Sequence, residues 1–363
     1  MNNICMVCDT AYQLLICLKI KYTMYRDDLV DVFVGEQFND ASEIVQRLRE
    51  AGSFNNVYTY DPKNYEKNPQ NKYVDIARFS KRLKHMLGEQ YQEIQNKNYS
   101  IIYMSIISHI SAALAYRFKE AKICYYEDGL GSYYIDMSKM DRKHRIIYSI
   151  FQHPTSRLSP EYLLLNNISF CVGDYQYPIR EIPAIKEPNL EFWNACDLIY
   201  NFHNDDYYLS HETIYLSQPN DRGFHNYSSI TQQVMNVLGK DTANTLIRLH
   251  PREKEFVDID DNIDFDNRRE MWELVCSRQI TNSHVLIGMY STALYTPKLL
   301  YGKEPYVIFT FNLYPDFWEK YSKSQFMPII ERLTQSYSDP SKVKTPNSMN
   351  ELDEILRNIY GRE

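Results

Sequence analysis

TLIRLHPREKEF, Thr245–Phe256, decides how this chain is read. A short apolar run broken by Arg248 has strand character, and it ends on His250 and Pro251 before a charged loop. Upstream, ICYYEDGLGS (Ile123–Ser132) repeats the plan, a strand ending on Glu127, Asp128 and Gly129. Downstream, VLIGMYSTAL (Val285–Leu294) ends a strand in front of Ser291 and Thr292. Three strand ends thus carry an acid pair, a histidine and a hydroxyl pair. In an open α/β sheet, ligands sit beyond the carboxyl ends of the strands. The pattern suits an enzyme that handles an anionic, sugar-like donor.

Outward from these strand ends, strands alternate with helices. ICMVC at residues 4–8 is a strand, and AYQLLICLKIKYTMY after it reads as a helix. DLVDVFVG, NNVYTY and YSIIYMSI read as further strands, separated by the helical runs DASEIVQRLREA and IARFSKRLKHMLGEQY. SHISAALAYRFK is a helix before ICYYED. KHRIIYSIF (Lys143–Phe151) fits a strand or a short helix, and HPTSRLSPE (His153–Glu161) is rich in turn formers. A second alternation is expected to open near YLLLNNISFCVG and to continue through TIYLSQP, NYSSITQQVMNVLG, TLIRLH, MWELVCSRQ, VLIGMY, TALYTPKLLYG and PYVIFT. Alternation of this kind predicts mostly parallel sheets. The expected domains are residues 1–160, residues 161–335, and a C-terminal helix within 336–363 that packs back on the first domain.

Bulk composition narrows the function. A chain of 363 residues is long for one core, which supports two domains. A net charge of -7 argues against general nucleic-acid binding, which needs positive charge against the backbone. The seven cysteines are odd in number and sit mostly in apolar runs, so they read as buried thiols of a reducing compartment. Cys5 and Cys8 have CxxC spacing but lack a second half-site, and packing is the simpler reading. No signal peptide and no run of about 20 apolar residues is found. The expected location is the cytoplasm, with peripheral contact at the inner face of the cell membrane left open.

Each strand end has a chemical reading and a bland one. Asp128, beside Gly129, is the candidate general base; EDGLGS is also ordinary turn composition. Neighbours on a strand point to opposite faces, so only one of Glu127 and Asp128 is expected to do chemistry. His250 is held extended by Pro251 and is a candidate phosphate ligand, with Arg248 and Arg252 as charge-assisted donors. Arg248 and His250 should share a strand face. Ser291 and Thr292 are placed to cap a helix whose free N–H groups would also meet a phosphate. Glu304, in GKEP, is a weaker candidate for a ribose contact. The fingerprints GxGxxG, GxxxxGK[ST] and GxSxG are absent. Read as a calcium loop from Asp258, the acidic run Val257–Asn267 puts Ile263 at the glycine position and Arg269 at the twelfth ligand, so a solvated loop is expected.

Taken in order, Glu127-Asp128-Gly129, His250-Pro251 and Ser291-Thr292 resemble the motifs of the bacterial sialyltransferases of glycosyltransferase family 52. CDTAYQLL (Cys8–Leu15) is similar to that family's opening loop and helix, and LSQP (Leu216–Pro219) to the start of its donor domain. The resemblance implies a GT-B fold, two Rossmann-like domains facing a central cleft. It implies inverting, metal-independent transfer from CMP-sialic acid to a galactose-containing glycan of the bacterial surface, with no cofactor. Asp128 would then deprotonate the acceptor, His250 would bind and protonate the phosphate, and Ser291 and Thr292 would hold it. A homodimer is left open. The motifs do not fix the donor, so another nucleotide sugar stays open, as does a nonenzymatic glycan- or nucleotide-binding protein of capsule assembly.

Overall fold

The computed structural model describes residues 2–61, 79–106, 108–136, 160–186, 189–240, 244–253, 256 and 263–361. The chain divides into two compact units, Met1–Phe202 and His203–Glu363.

The first unit is built on a seven-stranded sheet: β1 (Asn3–Cys8), β2 (Leu29–Gly35), β3 (Asn56–Tyr60), β4 (Ile101–Met104), β5 (Lys122–Tyr126), β6 (Leu163–Leu165) and β7 (Ile179–Glu181). Their order is β3-β2-β1-β4-β5-β6-β7, every pair parallel. β1 is buried from Ile4 to Cys8 without alternation, as expected for a parallel strand covered on both faces. The helix Ala11–Met24 starts on Thr10, whose side chain accepts the Gln13 amide at 3.1 Å. It buries Gln13, the run Leu14–Leu18 and Ile20, so it is apolar nearly all round and lies inside the unit.

The second unit has a six-stranded sheet: β8 (Thr213–Leu216), β9 (Thr245–Arg248), β10 (Asp264–Phe265), β11 (Val285–Gly288), β12 (Tyr306–Phe309) and β13 (Val343–Lys344). Its order is β10-β9-β8-β11-β12-β13, again all parallel. Tyr215, Ile247, Ile287 and Ile308 form its core with Val234 and Leu238 of the helix Tyr227–Lys240.

In both sheets the order reverses between the unit's first strand and its fourth. A crevice opens at such a reversal, beyond the carboxyl ends of the strands. The two reversal points are β1/β4 and β8/β11.

Three expectations need correction. Leu163–Leu165 does not open the second domain; it pairs with β5 and extends the first sheet, as β7 does after it. The boundary therefore falls at Phe202/His203, not at 160/161. The C-terminal helix Met349–Tyr360 belongs to the second unit and buries Leu352 and Leu356 in that unit's core. Burying two such leucines contributes roughly 1.5–3 kcal/mol each, which holds the helix on its own sheet. KHRIIYSIF and His153-Pro154 lie outside the described residues, as does most of the acidic run Val257–Asn267. Among the described residues no helix is long and apolar enough to cross a membrane.

Candidate active site

In the first unit the chain turns abruptly after β5. Gly129 has φ 100°, a conformation that side chains other than glycine rarely adopt. Among the described residues other than its chain neighbours, no atom lies within 4 Å of where its Cβ would be, so the demand for glycine is torsional. The turn splits the acid pair. Glu127 is fully buried and accepts from the Tyr133 hydroxyl at 2.5 Å, the Asn166 amide at 2.6 Å and the Tyr12 hydroxyl. Asp128 is half-buried, and its own amide donates to Ser132 Oγ at 2.8 Å. Burial raises the Asp128 pKa above the ordinary carboxylate value, opposed by the hydrogen bond from Gln13 Nε2. Of the pair, Asp128 is the less buried, and Glu127 is the one held by three donors.

The sequence reading passed over Asp9 and Gln13. Asp9 follows β1, at the reversal point, and is 8% exposed. Tyr60 Oη donates to Asp9 Oδ1 at 2.5 Å and Gln37 Nε2 at 3.2 Å. Burial raises the Asp9 pKa; the Tyr60 hydrogen bond opposes the shift and the Asp128 charge adds to it. Gln13 joins the two acids, accepting the Asp9 amide on Oε1 at 2.6 Å and donating to Asp128 from Nε2. CDTAYQ held the signal, a polar residue in the first turn of an apolar helix, but nothing in the sequence paired it with a residue 115 positions away.

In the second unit, Ser217 follows β8 and is buried. Its Oγ accepts the His250 amide at 2.9 Å and donates to Glu253. The His250 amide also reaches Glu253 Oε2 at 3.1 Å. His250 Nδ1 accepts the Arg252 amide at 3.2 Å, which places the proton of a neutral ring on Nε2. Burial lowers the His250 pKa and the Arg252 charge lowers it further, against a smaller pull from Asp221. In this tautomer the neutral ring has Nε2–H as its donor. Across the reversal, the Tyr290 amide donates to Gln218 Oε1 at 2.8 Å. Gly288 permits the close approach there, since a Cβ on it would lie 2.8 Å from the Leu216 carbonyl oxygen.

The remaining candidates divide. β9 stops at Arg248, and His250 lies beyond it in a turn, so the two do not share a strand face. The Arg248 guanidinium is engaged by Asp266 Oδ2 at 2.6 Å, the Tyr208 hydroxyl at 2.9 Å and the Glu270 carbonyl, which takes it out of the anion-binding set. Arg252 is exposed and meets Asp221 at 2.5 Å. Ser291 caps as expected, accepting the Ala293 amide at 3.3 Å. What it caps is a 3-10 turn, Thr292–Leu294, followed by the short helix Thr296–Tyr301, in place of the longer helix expected. Glu304 precedes β12, whereas Ser217, His250 and Ser291 follow their parallel strands. It therefore occupies the opposite rim of the sheet and cannot join them. There Lys298 Nζ lies 2.6 Å from its Oε1, and the Ser338 amide lies 3.0 Å from its Oε2.

Cys5 and Cys8 are both buried in β1. Among the described residues, no group of three or more His, Cys, Asp or Glu side chains is placed to hold a metal ion.

Two Rossmann-like units in succession, each with its reversal point flanked by polar strand ends, define the GT-B class of fold. Solved structures agree along nearly the whole chain. Phytolacca americana UGT2, solved with UDP-2fluoro-glucose and pterostilbene, matches with a TM-score of 0.53 at 12% identity, over 98% of this chain and 89% of that one. The spinosyn rhamnosyltransferase SpnG matches at 0.51 and 10% identity, over 99% and 92%. S. aureus MnaA with UDP matches at 0.50 and 12% identity, over 99% and 97%. Identity this low establishes the fold alone. No protein-family model matches the sequence, and no curated protein matches it.

Proposed function

We propose that the protein is an inverting glycosyltransferase that moves sialic acid from CMP-sialic acid to the terminal galactoside of a bacterial surface glycan. The observation that carries the transferase reading is Asp128, a carboxylate at a strand end with its pKa raised by burial. A base whose pKa approaches the working pH is more effective. The ordered motifs Glu127-Asp128-Gly129, His250-Pro251 and Ser291-Thr292 support the choice of donor.

Asp128 takes the proton of the acceptor hydroxyl. That oxygen bonds to the anomeric carbon from the face opposite CMP, and the bond from that carbon to the phosphate oxygen breaks with its electron pair on the phosphate. One displacement inverts the centre. His250 meets the growing phosphate charge through Nε2–H, and Ser291 and Thr292 add hydroxyl donors. A neutral imidazole stabilises that charge by hydrogen bonding, and a nucleoside monophosphate leaves without being protonated, so His250 acts as a donor of hydrogen bonds. No step is assigned to a metal or a cofactor.

The test is CMP release from CMP-sialic acid in EDTA, with and without galactose-terminated acceptors, for the wild type and Asp128→Asn. UDP-linked sugars are run in parallel. Acceptor-stimulated release that needs Asp128 supports the proposal. Turnover of a UDP-sugar alone would replace the donor, and binding without turnover of any donor would end the transferase reading.

A further inference from the structure

We propose that Gln13 is the positioning residue of Asp128, fixing its carboxylate so that Oδ2 is the oxygen presented to a proton. The inference rests on the reading of Asp128 as the base. Gln13 is 1% exposed, in the first turn of the helix Ala11–Met24. A carboxamide can sit either way round, and here the backbone decides. The Asp9 amide can only donate, so Gln13 Oε1 must face it, at 2.6 Å. Nε2 is then turned toward Asp128, where it donates to Oδ1. The helix is itself locked at this point, because Thr10 Oγ1 accepts the Gln13 amide. Among the described residues Asp128 Oδ2 has no hydrogen-bond donor, so one oxygen is held and the other is left for chemistry.

The same bond also acts on the charge state. Asp128 lies close enough to Asp9 for its charge to be felt there, so the pair would resist carrying two charges. A donor aimed at Asp128 favours its ionised form, against the burial that raises its pKa. Glutamate at position 13 could keep the bond from the Asp9 amide but would replace the donor with a third carboxylate.

The experiment titrates the aspartate carboxyl carbons of the full chain by 13C NMR, with Asp128 assigned through Asp128→Asn. It is run on the wild type, Gln13→Met and Gln13→Glu, with thermal unfolding as the check on folding. Removal of the donor should move the Asp128 midpoint upward in Gln13→Met, and Gln13→Glu should move it further. In the transfer assay, kcat should fall about tenfold or more with donor KM unchanged, and the acidic limb of the profile should move up. An Asp128 midpoint unchanged in both folded variants overturns the proposal. The titration does not depend on turnover. Full activity in Asp128→Asn would instead sink the base assignment while leaving the Gln13 clamp measurable.

Discussion

Arg248 Nη1 lies 2.6 Å from Asp266 Oδ2, with the arginine side chain 15% exposed and the aspartate 1%. This pair turns a residue with the look of an anion ligand into part of the framework. Removing one partner of a buried pair leaves the other charge uncompensated, which costs about 3 kcal/mol or more. Arg248→Met should therefore lower the free energy of unfolding by about that amount, measured by urea denaturation. The double variant Arg248→Met/Asp266→Leu should recover part of the loss. A fall in CMP affinity with stability unchanged would return Arg248 to the binding site.

Asp128→Asn should reduce acceptor-dependent transfer by about 100-fold or more while leaving CMP affinity within about twofold by calorimetry. The base acts on the acceptor, so the nucleotide does not sense its loss. Parallel losses of rate and CMP affinity would place Asp128 on the donor instead.

The same substitution should stabilise the protein at neutral pH. Burial raises the folded pKa of Asp128, so the folded state binds more protons than the unfolded chain in the window between the two values. Stability is then lost as pH rises through that window. An asparagine removes this dependence. The gain should be present at pH 7 and vanish at pH values below the ordinary aspartate pKa, as read from denaturation midpoints across pH. A variant less stable than the wild type at pH 7 would contradict this account.

His250→Ala should weaken CMP binding about tenfold, the worth of one hydrogen bond to a charged group. In the wild type, burial and Arg252 lower the histidine pKa, so the ring gains its charge only under acid conditions. CMP affinity should rise as pH falls through that lowered value, and the rise should disappear in His250→Ala. Equal affinities for the two proteins would remove His250 from the phosphate site.

Glu304→Ala should leave CMP affinity unchanged. Burial works to raise the Glu304 pKa, but hydrogen bonds from Lys298 and Ser338 outweigh it and hold the group at about 2. Its contribution to stability is present above the unfolded glutamate value and lost as pH falls toward about 2. The variant should therefore be less stable than the wild type at pH 7, with the difference fading in acid.

The sequence by itself determined the alternation of strands and helices, the parallel sheets and the three strand ends that carry Asp128, His250 and Ser291. These are local properties: an uninterrupted apolar run needs cover on both faces, and a glycine or proline marks where a strand stops. The tertiary structure decided which residues meet. β6 looked like the start of a domain because strand character does not reveal a strand's neighbour, and its pairing with β5 is a matter of sheet order. Arg248 and Glu304 looked like ligands because charge is visible in a sequence while its compensation is not. Their partners Asp266 and Ser338 are brought to them by the sheet and its connections. The link from Asp9 through Gln13 to Asp128 crosses three strands of one sheet, and its Gln13–Asp128 step alone spans 115 positions. No periodicity encodes it, because it forms only when β1 and β5 end on the same rim.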